Sequence, residues 1–252
     1  MCYDAEAQLK AQLKRAERER QAPADVLYLK QIIERLENHF HASGFAHPML
    51  AVYTSDQAYL PKSMRWGLIP HWTKSFEHAI KRWNNTLNCR AESMFEKPSF
   101  RNLVYNNRCV IPVNAFYEHH HANGRTFPYH ISMKNEAVFY LGGLWAKWID
   151  PKSKEAFETF TIITTKGNTL LSEIHNNPKV GEARMPLIIE EDAIMNWLNP
   201  ALTKEEIETF LIAYPSDKMQ AHTVGPLRGK FALGNVEEAS TPFQYEELNT
   251  LF

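Results

Sequence analysis

A series of short β-forming runs between residues 49 and 165 most constrains the fold of this chain. The runs MLAVY, RCVIPV, FPYHIS, AVFYLGGLW and FTIITT are separated by clusters of Asn, Gly, Pro and Lys. Runs of this kind, bounded by turn formers, are typical of strands joined by short connections. The apolar run MPLII at 185–189 has the same character. We therefore expect the centre of the chain to form a mainly antiparallel sheet.

Helical signals lie on both sides of these runs. Residues 5–39 are rich in good helix formers, with Asp4 as a candidate cap and Pro23 between two segments. The first segment is mostly polar and is expected to project or to form a lid or insertion. The second is predicted to lie on the core because its apolar residues follow helical spacing, namely Val26, Leu29, Ile33 and Leu36. After MPLII, the run EEDAIMNWL and a capping box from Thr203 to Glu206 predict a further helical section.

The composition is that of a folded protein, with 44% hydrophobic residues in 252. No repeat, linker or domain boundary is evident, so we expect an α+β fold in a single domain over 1–252, with the charged helical segment at about 5–39 inside it. No apolar run approaches the ~20 residues of a membrane span, and the N-terminus is too polar for a signal peptide. Three scattered cysteines, Cys2, Cys89 and Cys109, are too few for a disulfide framework. These features favour a soluble, cytoplasmic protein.

Charge is segregated along a chain whose formal net charge is only −1. Residues 61–110 contain nine Lys and Arg against three acids, whereas residues 186–252 contain four basic and eleven acidic residues. The overall balance argues against indiscriminate coating of nucleic acid. The basic middle segment permits a local anion-binding face, although a solvated surface would explain the same pattern.

Cys2 is the most informative single residue. An initiator Met before a small side chain is the arrangement from which methionine removal leaves a free N-terminal cysteine. Such a residue carries an α-amine with a pKa of roughly 7.7–8.0 and a thiol with a pKa of ~8.5 on adjacent carbons. Together they can condense with an aldehyde, the amine first to form an imine and the sulfur second to close a thiazolidine ring.

Three further segments carry candidate groups. Asn88, Arg90 and Glu92 alternate, so in an extended strand their side chains would share a face. Glu118 follows an apolar run and is expected at or just after a strand end, where a carboxylate can reach a cleft. His175 is expected in a loop before MPLII. Taken singly, each is equally consistent with a solvated or structural role.

Several other site types are disfavoured. The run His119-His120-His121 cannot easily converge on one ion, because consecutive strand residues point in opposite directions. We interpret it as solvated and expect no metal. The chain has no Gly-rich phosphate loop, no Ser nucleophile elbow and no HExxH motif.

In series, the motifs resemble a known family. Met1-Cys2 is followed in order by WGLIPHW at 66–72, NCRAE at 88–92, FYE at 116–118, the FTIITT strand, EIH at 173–175, RMPL at 184–187 and GNV at 234–236. Together these motifs are similar to those of the SOS response-associated peptidase (SRAP) family. The resemblance extends over nearly the whole chain.

The resemblance implies an α+β fold around a β-barrel-like core with a positively charged cleft. It also implies a DNA-damage (SOS) response protein that captures abasic sites in single-stranded DNA. An exposed Cys2 would form a thiazolidine with the ring-opened deoxyribose. By motif, Asn88 would orient Cys2 and the sugar, Glu118 would act as acid or base beside the α-amine, and His175 would assist sugar opening and proton transfer.

The same resemblance implies DNA contacts. Arg90 would hold a phosphate, and cationic and aromatic residues would line the cleft, with Arg65, Trp66, Trp72, Arg82 and Arg90 as the candidates. No cofactor is implied. The expected partner is single-stranded DNA with abasic sites, a replication-fork protein is a further candidate partner, and the chain is expected to act as a monomer without membrane contact.

The chain departs from the family pattern in two places near the site. The family commonly has Gly-Arg after the cysteine, whereas Tyr3-Asp4 follows here, so a phosphate contact from position four is missing. Residues 176–183 lengthen the connection between His175 and the RMPL motif, which leaves the placement of that loop open.

Three functional hypotheses stay open at this stage. The first is covalent capture of abasic sites, with associated lyase activity by β-elimination or with reversal of the crosslink. The second is a cysteine peptidase of the Cys/His type, with proteolysis limited to processing of its own N-terminus. The third is a non-covalent single-strand DNA-binding module in which Cys2 is incidental. A free α-amine is required only by the first.

Overall fold

The computed structural model describes residues 2–18, 22–135 and 137–249. Its strands are β1 Asp4–Ala7, β2 His39–Ser43, β3 Met49–Thr54, β4 Gln57–Trp66, β5 Asn88–Arg90, β6 Arg108–Val113, β7 Ala115–Ala122, β8 Arg125–Met133, β9 Phe139–Ile149, β10 Ala156–Lys166, β11 Arg184–Pro186, β12 Ile188–Ile189 and β13 Met219–Thr223. Its α-helices are α1 Leu9–Arg18, α2 Pro23–Ile33, α3 Phe76–Arg82, α4 Thr169–Ile174, α5 Ile194–Trp197, α6 Lys204–Phe210 and α7 Glu246–Asn249.

Five strands close into a barrel. Strand β10 pairs in parallel with β4 and antiparallel with β9, and β3 and β6 complete the circuit between β4 and β9 through antiparallel pairs. The short strands β5 and β11 add to β10, and β12 adds to β9. The predicted α+β class with a mainly antiparallel, barrel-like core is confirmed.

A second, fully antiparallel sheet has the order β13-β8-β7-β1-β2. Its β7–β8 hairpin turns at Asn123-Gly124, where both residues have positive φ, as a two-residue hairpin turn requires. One buried cluster contains Ile111 and Phe160 of the barrel together with Phe116 of this sheet. The core is therefore continuous from the barrel to the second sheet.

The N-terminal residues differ from the prediction. Asp4 does not cap a helix, because Asp4–Ala7 form β1 between β2 and β7, and all four residues are buried. The helix-forming character of Ala and Glu is overridden here by pairing on both edges of the strand. The interruption at Pro23 is confirmed at the first turn of α2, while residues 19–21, which precede it, lie outside the described part of the chain.

The two N-terminal helices also pack differently from the prediction. Helix α1 does not project, because Gln12 donates to the Ala7 carbonyl oxygen and accepts from the Ala51 N–H of β3. The predicted core face of the second segment is only partly right, since Leu29 and Leu36 pack on the core, whereas Val26 and Ile33 are exposed and Ile32 is buried. Packing of α2 on β4 contributes to its contact face, and the spacing of α2's own apolar residues does not reveal the position of that neighbour.

Most predicted strands are confirmed, with shifts at their ends, but MPLII is divided between β11 and β12, which pair with different strands. Strands β2, β4, β7 and β13 were not anticipated. The capping box from Thr203 to Glu206 is also confirmed, since Thr203 accepts from the Glu206 N–H and the Glu206 carboxylate accepts from the Thr203 N–H. Among the described residues, none of the helices has both the length and the apolar character needed to cross a membrane.

Candidate active site

Cys2 immediately precedes β1 and is completely buried, in contrast to the exposed position that the family resemblance implied. Its sulfur lies 3.9 Å from the Asp4 carbonyl oxygen. Burial, followed by the negative charge of Glu118, raises the pKa of the Cys2 thiol well above its ordinary value. The sulfur is therefore held as a protonated thiol near pH 7 and needs a base before it can attack. Removal of Met1 concerns a residue outside those described and stays a prediction.

Glu118 and His175 form a buried pair beside Cys2. Glu118 lies within β7, opposite Tyr129 of β8, so the prediction of a strand end is wrong. His175 directly follows α4, and its Nδ1 is 3.5 Å from Glu118 Oε2. Both side chains are less than a tenth exposed. A carboxylate within electrostatic reach of the Cys2 thiol thus contacts an imidazole.

The end of α4 is fixed against β7 by hydrogen bonds on both sides of His175. Before it, His120 Nδ1 lies 3.0 Å from the Glu173 carbonyl oxygen. After it, the Asn176 side chain accepts from the His121 N–H at 2.7 Å and donates to the His121 carbonyl oxygen at 3.0 Å. His120 points away from the cavity that His119 and His121 line, as expected for alternation along a strand.

The His175 ring is oriented by the backbone of Arg184. Nδ1 is 3.1 Å from the Arg184 N–H nitrogen and 3.2 Å from the Arg184 carbonyl oxygen. A neutral ring with its proton on Nε2 accepts from the N–H, whereas a protonated ring donates from Nδ1 toward the carbonyl oxygen and Glu118. The two protonation states therefore both have partners, which suits a group that transfers a proton.

Arg184 is in turn held by Glu92. The buried guanidinium makes two contacts with the Glu92 carboxylate, at 2.5 and 2.9 Å, and donates to the Thr164 carbonyl oxygen at 2.6 Å. Arg184 was part of a recognised motif, but sequence reasoning assigned no role to it. No sequence signal links it to Glu92, which is 92 positions away.

Asn88 and Arg90 line the larger of the two cavities at this site, of about 850 Å³. Strand β5, which carries them, pairs with β10 but ends at Arg90. Glu92 lies in the following 3-10 turn and lines the same cavity, so the predicted shared face is found although the extended strand does not reach Glu92. Among the described residues, neither side-chain nitrogen nor oxygen of Asn88 has a hydrogen-bond partner, although both are buried. The basic residues of this cavity include four from different elements, Arg82, Arg90, Lys97 and Arg184.

Glu118 and His175 line a second cavity of about 530 Å³ together with Tyr3. The loop at 176–183 lies between the two cavities, since Asn177 and Val180 line the smaller one and Glu182 lines the larger one. Glu118 and His175 are thus brought together, Glu118 lies within electrostatic reach of Cys2, and Asn88 lines the neighbouring cavity. No three His, Cys, Asp or Glu groups in the described ranges are arranged to hold a metal ion.

The predicted DNA-contacting residues divide into two groups. Trp72 and Arg82 are exposed in the larger cavity, with the guanidinium 5.9 Å from the indole centroid. Arg65 is half-buried and donates to the His47 carbonyl oxygen at 3.1 Å. Trp66 is fully buried and donates to the Leu87 carbonyl oxygen, so the prediction that it lines the cleft is wrong. Its apolar face packs on Phe160 of the barrel.

Asp4, at the position of the missing phosphate contact, is almost fully buried. Its carboxylate is 3.0 Å from His41 Nε2 and 2.5 Å from Arg228 Nη2. Burial opposes ionisation of Asp4, but the His41 hydrogen bond and the Arg228 charge outweigh it and lower the pKa of the carboxyl. Asp4 therefore remains charged and holds Arg228 at the rim of the smaller cavity, a pairing across 224 positions that sequence reasoning missed.

The chain is similar to known proteins over most of its length. A family model described as SOS response associated peptidase (SRAP) matches residues 5–230. The abasic site processing protein YoqW of Bacillus subtilis is 38% identical over 166 residues, which are 65% of this chain and 69% of that protein. The abasic site processing protein HMCES of Gallus gallus is 31% identical over 181 residues, which are 64% of this chain and about half of that protein, 51%.

The fold is also found in a solved structure. The X-ray crystal structure of a protein from Bacteroides thetaiotaomicron has a TM-score of 0.82 and 32% sequence identity, and the match covers 96% of this chain and 100% of that one. The resemblance read from the motifs is therefore confirmed. The family model covers all but the ends of the chain, and the chain belongs to the SOS response-associated peptidase (SRAP) family.

Proposed function

We propose that this protein processes abasic sites in single-stranded DNA by covalent capture through Cys2. The observation that carries the proposal is the convergence of Cys2, Glu118 and His175 beside a cavity lined by basic residues. The relatives named as abasic site processing proteins support the substrate class. An abasic sugar in its open form presents an aldehyde at C1′, which is the electrophile that an N-terminal cysteine can capture.

The first step is imine formation. After removal of Met1, the α-amine of Cys2 adds to the aldehyde carbon, and the resulting carbinolamine loses its hydroxyl group as water. That departure requires a proton donor, and the addition requires a proton acceptor. In this proposal the Glu118 carboxylate and the His175 imidazole, 3.5 Å apart, supply the acceptor and the donor.

The second step is ring closure. The Cys2 sulfur adds to the imine carbon, the thiol proton passes to Glu118 or His175, and the ring nitrogen receives a proton. One water is lost overall, and the product is a thiazolidine. Because burial raises the pKa of this thiol, closure depends on the neighbouring base rather than on a pre-formed thiolate.

Strand cleavage is an alternative fate of the imine. If a base removes a C2′ proton before the sulfur closes the ring, the C3′–O bond breaks by β-elimination and the protein acts as a lyase. A Cys/His peptidase is less well supported, since that chemistry favours a thiol whose pKa is lowered, whereas burial raises the pKa of Cys2.

The DNA strand would lie along the larger cavity. Its cations suit backbone phosphates, and the Trp72 ring beside Arg82 offers a surface on which a neighbouring base can stack. Asn88, whose buried amide is unpaired among the described residues, would donate to and accept from the opened sugar. No base-reading contacts are expected opposite a lesion that has no base.

The proposal is tested by intact mass of the protein before and after incubation with an abasic single-stranded oligonucleotide. We expect a chain without Met1 that gains the mass of the oligonucleotide minus one water, and no gain with undamaged DNA. Cys2→Ala keeps an α-amine and should form only an imine that requires reductive trapping. A stable adduct of Cys2→Ala without reductant would overturn the thiazolidine mechanism.

Glu118→Gln tests the proton transfer. We expect the single-turnover rate of adduct formation to fall about a hundredfold, since positioned acid–base groups typically contribute at least that factor. Glu173→Gln is the matched control, because Glu173 is exposed on α4 and contributes only its carbonyl oxygen to the site. Equal rates for the two variants would remove Glu118 from the reaction.

A further inference from the structure

Arg228 occupies an unusual position for a surface arginine. It follows the buried Leu227 and lines the smaller cavity with Tyr3, Glu118 and His175. Its Nη2 is 2.5 Å from Asp4 Oδ2, and its guanidinium carbon lies 5.5 Å from the centroid of the Phe45 ring. The Asp4 side chain is 2% exposed, whereas that of Arg228 is 48% exposed. One side of the guanidinium is therefore anchored and the other side is open.

The pairing with Asp4 uses only part of the hydrogen-bonding capacity of Arg228. His41 Nε2 already lies 3.0 Å from the other carboxylate oxygen of Asp4. Within the described ranges, the hydrogen bonds of Arg228 involve only Asp4, through one nitrogen of a group that has five N–H donors. The remaining donors are available to a ligand in the cavity, and a planar guanidinium held on one side suits a phosphate on the other.

Arg228 is also the positive charge with open donors on the wall of this cavity. The other arginine that lines the cavity, Arg125, pairs with Glu247. His119 is neutral near pH 7, because burial, and then the charge of Arg228, lowers its pKa to about 4. An anion that enters this cavity beside Glu118 is therefore met by Arg228.

Arg228 and Arg90 flank the same residue. Burial raises the pKa of Tyr3 and Glu118 raises it further, while Arg228 and Arg90 both lower it, so both guanidinium groups lie within electrostatic reach of the residue after Cys2. Arg90 approaches from the larger cavity and Arg228 from the smaller one. A nucleotide likewise carries one phosphate on each side of its sugar.

We propose that Arg228 binds the DNA phosphate next to the captured sugar, on the side opposite Arg90, and that Asp4 holds its guanidinium in place. The inference rests on the proposed function, since it places the abasic sugar at Cys2. The acid at position four, which removes a direct phosphate contact from that position, thereby supplies the contact through Arg228.

The test measures binding without covalent chemistry. The probe is a fluorescent single strand with one tetrahydrofuran residue, which mimics the closed abasic sugar and has no aldehyde. We expect Arg228→Gln to weaken binding about tenfold at low salt and to reduce the slope of log affinity against log salt by about 0.7, the value for one phosphate contact on a single strand. The control Arg125→Gln removes an arginine from the same cavity and should change neither quantity.

Probes with one methylphosphonate identify the phosphate. Neutralising either phosphate beside the tetrahydrofuran should weaken binding by the wild type. Arg228→Gln should become insensitive to one of these changes and Arg90→Ala to the other. Equal loss at both phosphates in Arg228→Gln, or an unchanged salt slope, would overturn the assignment.

Two further measurements separate the possible failures. Thermal unfolding monitors the fold of each variant, and Arg228→Lys keeps a positive charge beside Asp4 and should retain the salt slope of the wild type. A slope for Arg228→Lys that falls as far as that of Arg228→Gln would contradict a phosphate contact. If the wild type forms the adduct with abasic DNA but Arg228→Gln binds the tetrahydrofuran probe as tightly as the wild type, only the role of Arg228 is refuted. If the wild type forms no adduct, the proposed function is refuted.

Discussion

At the level of single residues, burial and reactivity are in opposition at Cys2. A buried thiol is protected from oxidation and from adventitious electrophiles, because the reactive thiolate is scarce when burial raises the pKa. The same burial makes sulfur attack dependent on Glu118 and His175. Selectivity for an aldehyde would then arise from the sequence of the two steps, because the sulfur attacks only after the amine has formed an imine within reach of the base.

Asp4 makes stability depend on pH. Its pKa is lower in the folded state than its ordinary value of 3.8, because the His41 hydrogen bond and Arg228 together outweigh the effect of burial. Folding therefore favours the carboxylate, so this stabilisation is complete above the unfolded-state pKa and is lost as the pH falls through the folded-state pKa. We expect Asp4→Asn to reduce the free energy of unfolding by about 3 kcal/mol near pH 7.

Urea denaturation at several pH values measures this effect. The difference between wild type and Asp4→Asn should shrink as the pH falls below 4, because the wild type then loses the same charge. Asp56→Asn is a suitable control, since its ion pair with Lys62 is at the surface and Asp56 is half exposed. Parallel curves for wild type and Asp4→Asn at all pH values would contradict the assignment.

The sequence predicted which residues are candidates for the site better than it predicted their burial and their partners. Cys2, Asn88, Glu118 and His175 were recognisable because each lies in a motif of fixed order. Trp66 lies in such a motif as well, yet its ring is in the core. The Asp4–Arg228 and Glu92–Arg184 pairs join distant positions and leave no local pattern, so only the folded chain reveals them.

Among the elements, β7 and α4 together determine where His175 lies. The Asn176 side chain bonds to the β7 backbone as a neighbouring strand would. It accepts a hydrogen bond from the His121 N–H and donates one to the His121 carbonyl oxygen. The first residue of the loop at 176–183 is therefore anchored directly after His175.

Asn176→Ala tests this anchor. Loss of two hydrogen bonds, each contributing about 1 kcal/mol, should lower the melting temperature by several degrees and slow adduct formation roughly tenfold through misplacement of His175. The control is Asn177→Ala, whose side chain accepts only from the N–H of Lys179 in a local turn. Rates that are equal in the two variants would show that His175 is positioned without Asn176.

Element prediction succeeded where local chemistry is sufficient. Strand β6 and the capping box of α6 follow directly from their own residues. Strand β1 was missed because a four-residue segment of Ala, Glu and Asp becomes a strand only when β2 and β7 lie on both sides of it. The buried face of α2 was only partly predicted for the same reason.

For the whole molecule, closure of the barrel depends on Gly143. It is paired with Cys109 of β6 on one side and with Ile162 of β10 on the other. A Cβ atom there would lie 2.5 Å from the Thr161 carbonyl oxygen and 2.8 Å from the Ile111 side chain. The strand ladder fixes that carbonyl group, so the clash cannot be relieved by a side-chain rotation.

Gly143→Ala is therefore expected to lower the free energy of unfolding by about 3 kcal/mol, at the upper end of overpacking effects. The neighbouring Gly142→Ala is the matched control, since its Cβ would meet mainly the movable side chain of Leu187. We expect a clearly smaller loss for Gly142→Ala in chemical denaturation. Equal losses of unfolding free energy in the two variants would mean that the backbone around Gly143 moves to accommodate the added methyl group.

The position of β1 within its sheet has a mechanical consequence for a captured strand. DNA joined to Cys2 would be attached to the end of a strand that is paired on both edges. Tension on the DNA along β1 would load the flanking hydrogen bonds together in shear rather than one after another. A polymerase or helicase that pulls on the lesion would then have to rupture the pairing of β1 with both β2 and β7 at once, so the protein would act as a firm anchor on the strand.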